Sequence, residues 1–242
     1  MAKEILRWQA KFTLAPPLLL DEVQNLPELK IIKENDEPNA KWTRIEVTTP
    51  NLPSFIEAIL YAREKCNRCT DFLTFLKGFP VRATLSNITQ VGLTGSVVTG
   101  CAPLSLDMII DGPHYIDLIG EAIAEVIQGS EPKLARQLSH YRRAIETDDT
   151  INKIRELYLV VEDEYGEACQ FLEQYRYVRN ILSHPELTKS DYSISKAKNR
   201  FGRTYIDPSC PKDLDELKQD ADELLRKAKE IVRSKLQLRD DH

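Results

Sequence analysis

Six consecutive residues, Arg179-Asn180-Ile181-Leu182-Ser183-His184, bring together a guanidinium, a side-chain amide and an imidazole. Asn180 and His184 are four apart, which puts both on one face of a helix. Arg179 is five before His184, about 140° further round, and its long side chain reaches the same region. An imidazole titrates near neutral pH and serves as base or acid. A guanidinium grips phosphate oxygens in a planar, bidentate manner. Cleavage of a phosphodiester by its neighbouring 2′-hydroxyl asks for this set: a base for the hydroxyl, a cation for the charged phosphorane and an acid for the leaving 5′-oxygen. It requires no metal. The same residues also suit plain architecture. A cation at a helix C-terminus is favoured by the helix dipole by up to about 1 kcal/mol, and Glu173 and Glu186 are candidate ion-pair partners for Arg179.

The elements that must position these groups differ between the two halves of the chain. Residues 8–14 and 42–49 alternate apolar and polar side chains and are rich in β-branched and aromatic types, so both read as strands, with a turn at 35–38 between them. Pro53 opens a long helical pattern that Gly78 and Pro80 end. Residues 81–100 read as two or three short strands with turns near Asn87 and at 92–95. From Pro113 the strand signals vanish. Apolar stripes at three- and four-residue steps predict helices over 115–128, 131–145, 151–165 and 167–184, the last stopped by Pro185, and over 212–238. Residues 187–211 read as a polar connection, long for a compact domain. The expected organisation is an α+β region over 1–112 and an all-α region over 113–242.

Composition narrows the classes. The 242 residues are 42% hydrophobic and 29% charged, which supplies a packed core and excludes global disorder. The net charge of −5 excludes a highly basic nucleic-acid coat and leaves room for a local basic patch. No apolar run approaches the roughly 18 residues that span a bilayer. No leader pattern precedes Phe12, and five cysteines, an odd number, read as free thiols in a reducing compartment, so the expectation is a cytoplasmic protein without a membrane partner. The lone Cys66-x-x-Cys69 falls mid-helix without a second ligand pair and reads as structural, and isolated His114 and His140 read the same way. Phosphate-loop, dinucleotide-binding and hydrolase-elbow motifs are absent.

The Arg-Asn-x3-His string, at a helix end followed by Pro185 and then by a long helix, resembles the R-x4-H motif of the HEPN family, in which the Arg is commonly followed by Asn, His or Asp. Composition alone yields such a string roughly 0.01 times in this chain. The resemblance covers residues 113–242. It implies an all-α, HEPN-like four- to five-helix bundle and a homodimer in which two motifs face one cleft. It also implies a metal-independent endoribonuclease with Arg179, Asn180 and His184 as catalytic residues and no cofactor. Asn180 would orient His184 or a phosphate oxygen. In that family an upstream acidic residue sometimes supports the His or Arg, and Glu162, Asp163 and Glu164 stand in that place. Defence, toxin or RNA-processing settings follow from the same likeness. So do two alternatives: a non-catalytic dimerisation module that binds a ligand or partner, and a toxin silenced by a partner antitoxin. Residues 1–112 are similar to the β-rich regions that precede the helical domain in some bacterial members.

Flanking cations fit an RNA substrate. Residues 189–203 carry Lys189, Lys196, Lys198, Arg200 and Arg203 against Asp191 alone, with Tyr192 and Phe201 as candidate stacking platforms for unpaired bases. Arg142 and Arg143 are further candidates for phosphate contact.

Overall fold

Trp8, Ala10, Phe12 and Leu14 are buried and the residues between them half-buried, so the alternation of the sequence becomes the two faces of a strand. The structure, a computed structural model, describes residues 6–19, 26, 28–37, 40–91, 124, 126–129, 131–183 and 191–236, without the side chains of 181–183. They fall into two units, 1–131 and 132–242. The boundary expected at 112/113 lies outside the described residues, as does the first part of the helix expected over 115–128; residues 124 and 126–128 are helical.

The first unit is α+β. Its strands are β1 (Trp8–Leu18), β2 (Leu29–Lys33), β3 (Trp42–Thr48) and β4 (Arg82–Gln90). They form an antiparallel sheet in the order β2-β3-β1-β4. β1 is longer than its sequence pattern suggests, and its pairing with β3 is irregular between Thr13 and Leu18. Pro16 and Pro17 occupy that stretch, and neither has an N–H to give to the ladder. β2 is absent from the sequence reading. Its five residues include two lysines, a composition that suits an edge strand. In place of the turn expected near Asn87, β4 runs straight through: Asn87 pairs with Lys11 and Leu85 with Phe12. The extra residue, Ser86, forms a bulge whose hydroxyl lies 2.6 Å from that of Thr13.

Helix α1 (Phe55–Lys77) packs on this sheet. Ser54 caps its start by accepting the Glu57 N–H at 3.2 Å, the first half of a capping box. Gly78 ends it at φ 71°, a left-handed conformation that glycine adopts without strain, and donates its N–H to the Thr74 carbonyl. Ala58, Ala62, Cys66, Cys69, Phe72 and Leu73 form the inner stripe, so the two cysteines of the C-x-x-C are buried thiols in the core. Burial lifts the Cys69 thiol well above its ordinary pKa.

The second unit is helical: α2 (Pro132–Glu146), α3 (Thr150–Tyr165), α4 (Gln170–Ser183), α5 (Asp191–Phe201) and α6 (Pro211–Lys235). Asp149 caps α3 through the Ile151 N–H at 2.9 Å. α3 is central and touches α2, α4 and α6, with Ile154, Leu157, Tyr158, Val160 and Val161 buried. α5 corrects the polar connection expected over 187–211. Its buried stripe is Ser193, Ala197 and Phe201, at a helical period but largely of small residues, which gives little apolar signal. Among the described residues no helix is long and apolar enough to cross a membrane.

Ile45 is fully buried at the middle of β3, between Ile31 of β2 and Phe12 of β1. Ile45→Ala is expected to destabilise the first unit by about 2–5 kcal/mol through the cavity it leaves. Both tryptophans of the chain, Trp8 and Trp42, stand in this sheet. Urea unfolding followed by tryptophan fluorescence therefore reads the effect directly.

Candidate functional site

α3 and α4 meet through a short link in which Gly166 turns the chain at φ 78° and donates its N–H to the Glu162 carbonyl at 2.8 Å. Beside that link the two helices leave a cleft of about 190 Å³. Tyr158 and Glu162 come from α3, Glu167 from the link, and Arg176, Arg179 and Asn180 from α4. Residues 176, 179 and 180 are three and four apart, so a helical α4 presents all three on one face. Leu172, Tyr175 and Val178 are buried, which fixes the rotation of α4.

Tyr158 organises this face. Its ring is buried, and the Arg179 guanidinium lies over it with Cζ 5.5 Å from the centroid, a cation–π distance. Nη1 of Arg179 also donates to the side-chain amide oxygen of Asn180 at 3.2 Å. Burial pushes the Tyr158 phenol above its ordinary pKa; a hydrogen bond with Arg176 opposes the shift. Arg176 in addition donates to the Glu167 backbone carbonyl. Among the described residues no carboxylate forms an ion pair with Arg179, which leaves its charge open to an incoming anion.

Arg179 and Asn180, neighbours in the sequence, both line the cleft, whereas His184 lies outside the described residues. The three acids at the end of α3 separate cleanly. Asp163 pairs with Arg136 at 3.1 Å. Glu164 pairs with Lys133 and Lys235, each at 3.0 Å, and accepts from Gln137 at 3.1 Å. Glu162 alone of the three lines the cleft. Tyr158, Arg176 and Glu167 were not singled out from sequence. Tyr158 reads there as one more position on a buried stripe, and the signal for Arg176 is its three-residue spacing from Arg179.

The flanking cations are mostly engaged within the fold. The Arg200 guanidinium binds both carboxylate oxygens of Asp220 at 2.9 Å, Glu216 at 2.6 Å and the Tyr177 hydroxyl at 3.2 Å. Burial works against its charge, and the hydrogen bonds with Asp220 and Tyr177 outweigh it, so Arg200 stays firmly protonated. Arg203 pairs with buried Asp213 at 2.5 Å. Arg143 donates to Glu156 at 2.9 Å, which also lies 2.7 Å from His140. Arg142 is half-buried on α2 and has partners of its own. Phe201 is buried and offers no free face to a base, while Tyr192 is exposed with Lys196 over its ring. Of the seven flanking cations named from sequence, Lys196 and Lys198 are the exposed pair of α5 with no ion pair among the described residues. Lys189 lies outside the described residues.

No protein-family model, curated protein or solved structure matches this chain. What the fold and the cleft define is therefore a class only: an α+β unit joined to a helical unit that carries an arginine-lined cleft between its second and third helices.

Two outcomes follow for the charged groups. Arg200→Ala is expected to lower the melting temperature, because it breaks the clamp to Asp220 and Glu216, whereas Lys198→Ala on the exposed face of α5 should leave it unchanged; thermal melts followed by circular dichroism separate the two. Burial alone would raise the Glu164 carboxyl, but hydrogen bonds from Lys133, Lys235 and Gln137 outweigh it and hold its pKa at about 2, below the ordinary 4.5. Its contribution to stability is therefore complete above about pH 4.5 and is lost as pH falls towards 2. Glu164→Gln should flatten that part of the dependence of melting temperature on pH, read by circular dichroism.

Proposed function

We propose that this protein is a metal-independent endoribonuclease of the HEPN type, acting on single-stranded RNA in a defence, toxin or RNA-processing setting. One observation carries the reading. Arg179 and Asn180, the first half of the Arg-Asn-x3-His motif, stand together at an open cleft with a guanidinium that no described carboxylate neutralises. The motif supplies the chemistry. Arg179 takes the phosphate, Asn180 orients a phosphate oxygen or the imidazole, and His184 moves the proton. The 2′-oxygen attacks its neighbouring phosphorus, the bond to the 5′-oxygen breaks, and a 2′,3′-cyclic phosphate and a 5′-hydroxyl result. A homodimer that brings two motifs to one cleft would provide two imidazoles, one as base and one as acid.

A second reading has its own support. Stacking on Tyr158 and a hydrogen bond to the adjacent Asn180 are contacts that a purely architectural arginine also makes. In that case the helical unit is a non-catalytic dimerisation module that binds a ligand or partner, or a toxin awaiting release from an antitoxin.

Purified protein is expected to cleave single-stranded RNA in the presence of EDTA and leave 2′,3′-cyclic ends. His184→Ala and Arg179→Ala should each lower the rate by about 10²-fold or more. A His184→Ala variant as active as the parent rules out the imidazole. Wild-type protein that leaves RNA intact, with variants that only melt earlier, selects the architectural reading.

A further inference from the structure

The α3–α4 cleft has two chemically different walls. α4 contributes Arg176, Arg179 and Asn180, and α3 contributes Glu162 above the buried Tyr158. Opposite charges line one small space, yet among the described residues no ion pair within 4.0 Å closes across it. Both neighbours of Glu162 are held elsewhere, Asp163 by Arg136 and Glu164 by Lys133 and Lys235. The carboxylate of Glu162 is half-buried and without an ion pair among the described residues. A gap between a cationic wall and a carboxylate wall is the arrangement that a ribose phosphate needs, with its phosphate oxygens on the arginines and its hydroxyl on the acceptor-only carboxylate.

We infer that Glu162 is the general base of this cleft and Arg176 its second phosphate-binding cation. The inference rests on the ribonuclease reading and deepens it. Glu162 takes the proton of the 2′-hydroxyl as the 2′-oxygen forms its bond to phosphorus. Arg176 and Arg179 stabilise the charge that builds on the non-bridging oxygens. The phosphorus–5′-oxygen bond breaks, and the leaving oxygen receives a proton from an acid, so that no further reactant is consumed. Two other groups face Glu162. The Tyr158 phenol is pushed upward by burial and remains protonated at neutral pH. Glu167 is exposed on the link, and its backbone carbonyl holds Arg176. Base and phosphate grip then come from one chain.

The test uses the full chain, single-stranded RNA and EDTA, with single-turnover rates measured across pH. Glu162→Gln is expected to cost about 100-fold at the wild-type optimum and to abolish the acidic limb of the pH–rate profile, where protonation of the base stops the reaction. Affinity for an uncleavable strand with a 2′-deoxyribose at the cleavage position should persist in Glu162→Gln and fall at least several-fold in Arg176→Ala. Glu162→Asp, one methylene shorter, should keep the limb at a reduced rate, and it decides the matter if the glutamine variant melts early. An active wild type with unchanged rate and limb in these variants overturns the inference and spares the ribonuclease reading. A wild type that leaves RNA intact overturns both.

Discussion

The buried ring of Tyr158 is the contact on which the cleft depends. Its face carries the Arg179 guanidinium and its hydroxyl meets Arg176, so one aromatic side chain fixes two cations that would otherwise repel and swing apart. The ring is itself fixed because α3 is the central helix of its unit, with α2, α4 and α6 around it. An arginine has many rotamers, and holding one against an aromatic face removes most of that freedom before any ligand arrives. Packing of the core and readiness of the site are here the same interaction.

Charge elsewhere in the helical unit is arranged to close on itself. Arg200 is clamped to Asp220 and Glu216, Arg203 to Asp213, and Arg143 to Glu156. These pairs fasten α5 and the segment after it to α6, and α2 to α3. A polar stretch with little apolar surface of its own, such as α5, gains its place largely through one bidentate arginine and the small buried stripe of Ser193, Ala197 and Phe201. Arg179 in the α3–α4 cleft and Lys196 and Lys198 on α5 are among the cations that this closure leaves without an ion pair in the described residues.

Much of this was legible in the residues. Alternation marked β1 and β3, Pro53 and Gly78 marked the limits of α1, and three- to four-residue stripes marked α2, α3, α4 and α6. Three features were not. β2 is a five-residue edge strand whose lysines blur its alternation. α5 is packed through small and polar residues that carry no hydrophobic signature. Asn87, a turn former by local preference, is overridden by pairing with β1 across a bulge. At the cleft, Arg179 and Asn180 were named from the Arg-Asn-x3-His string, and both line it. Which of Glu162, Asp163 and Glu164 faces them was not, because three consecutive residues on a helix point in three directions and only tertiary packing decides which direction meets α4.

Glu164 has a topological consequence. Lys133, in the first turn of α2, and Lys235, the last residue of α6, both reach its carboxylate at 3.0 Å. The first turn of α2 and the last residue of α6 are therefore tied to the same anchor on the central helix. Helices whose outer ends lie this near one another can be grafted together into a surface loop of another protein, or joined there and reopened elsewhere, with little strain on the interior.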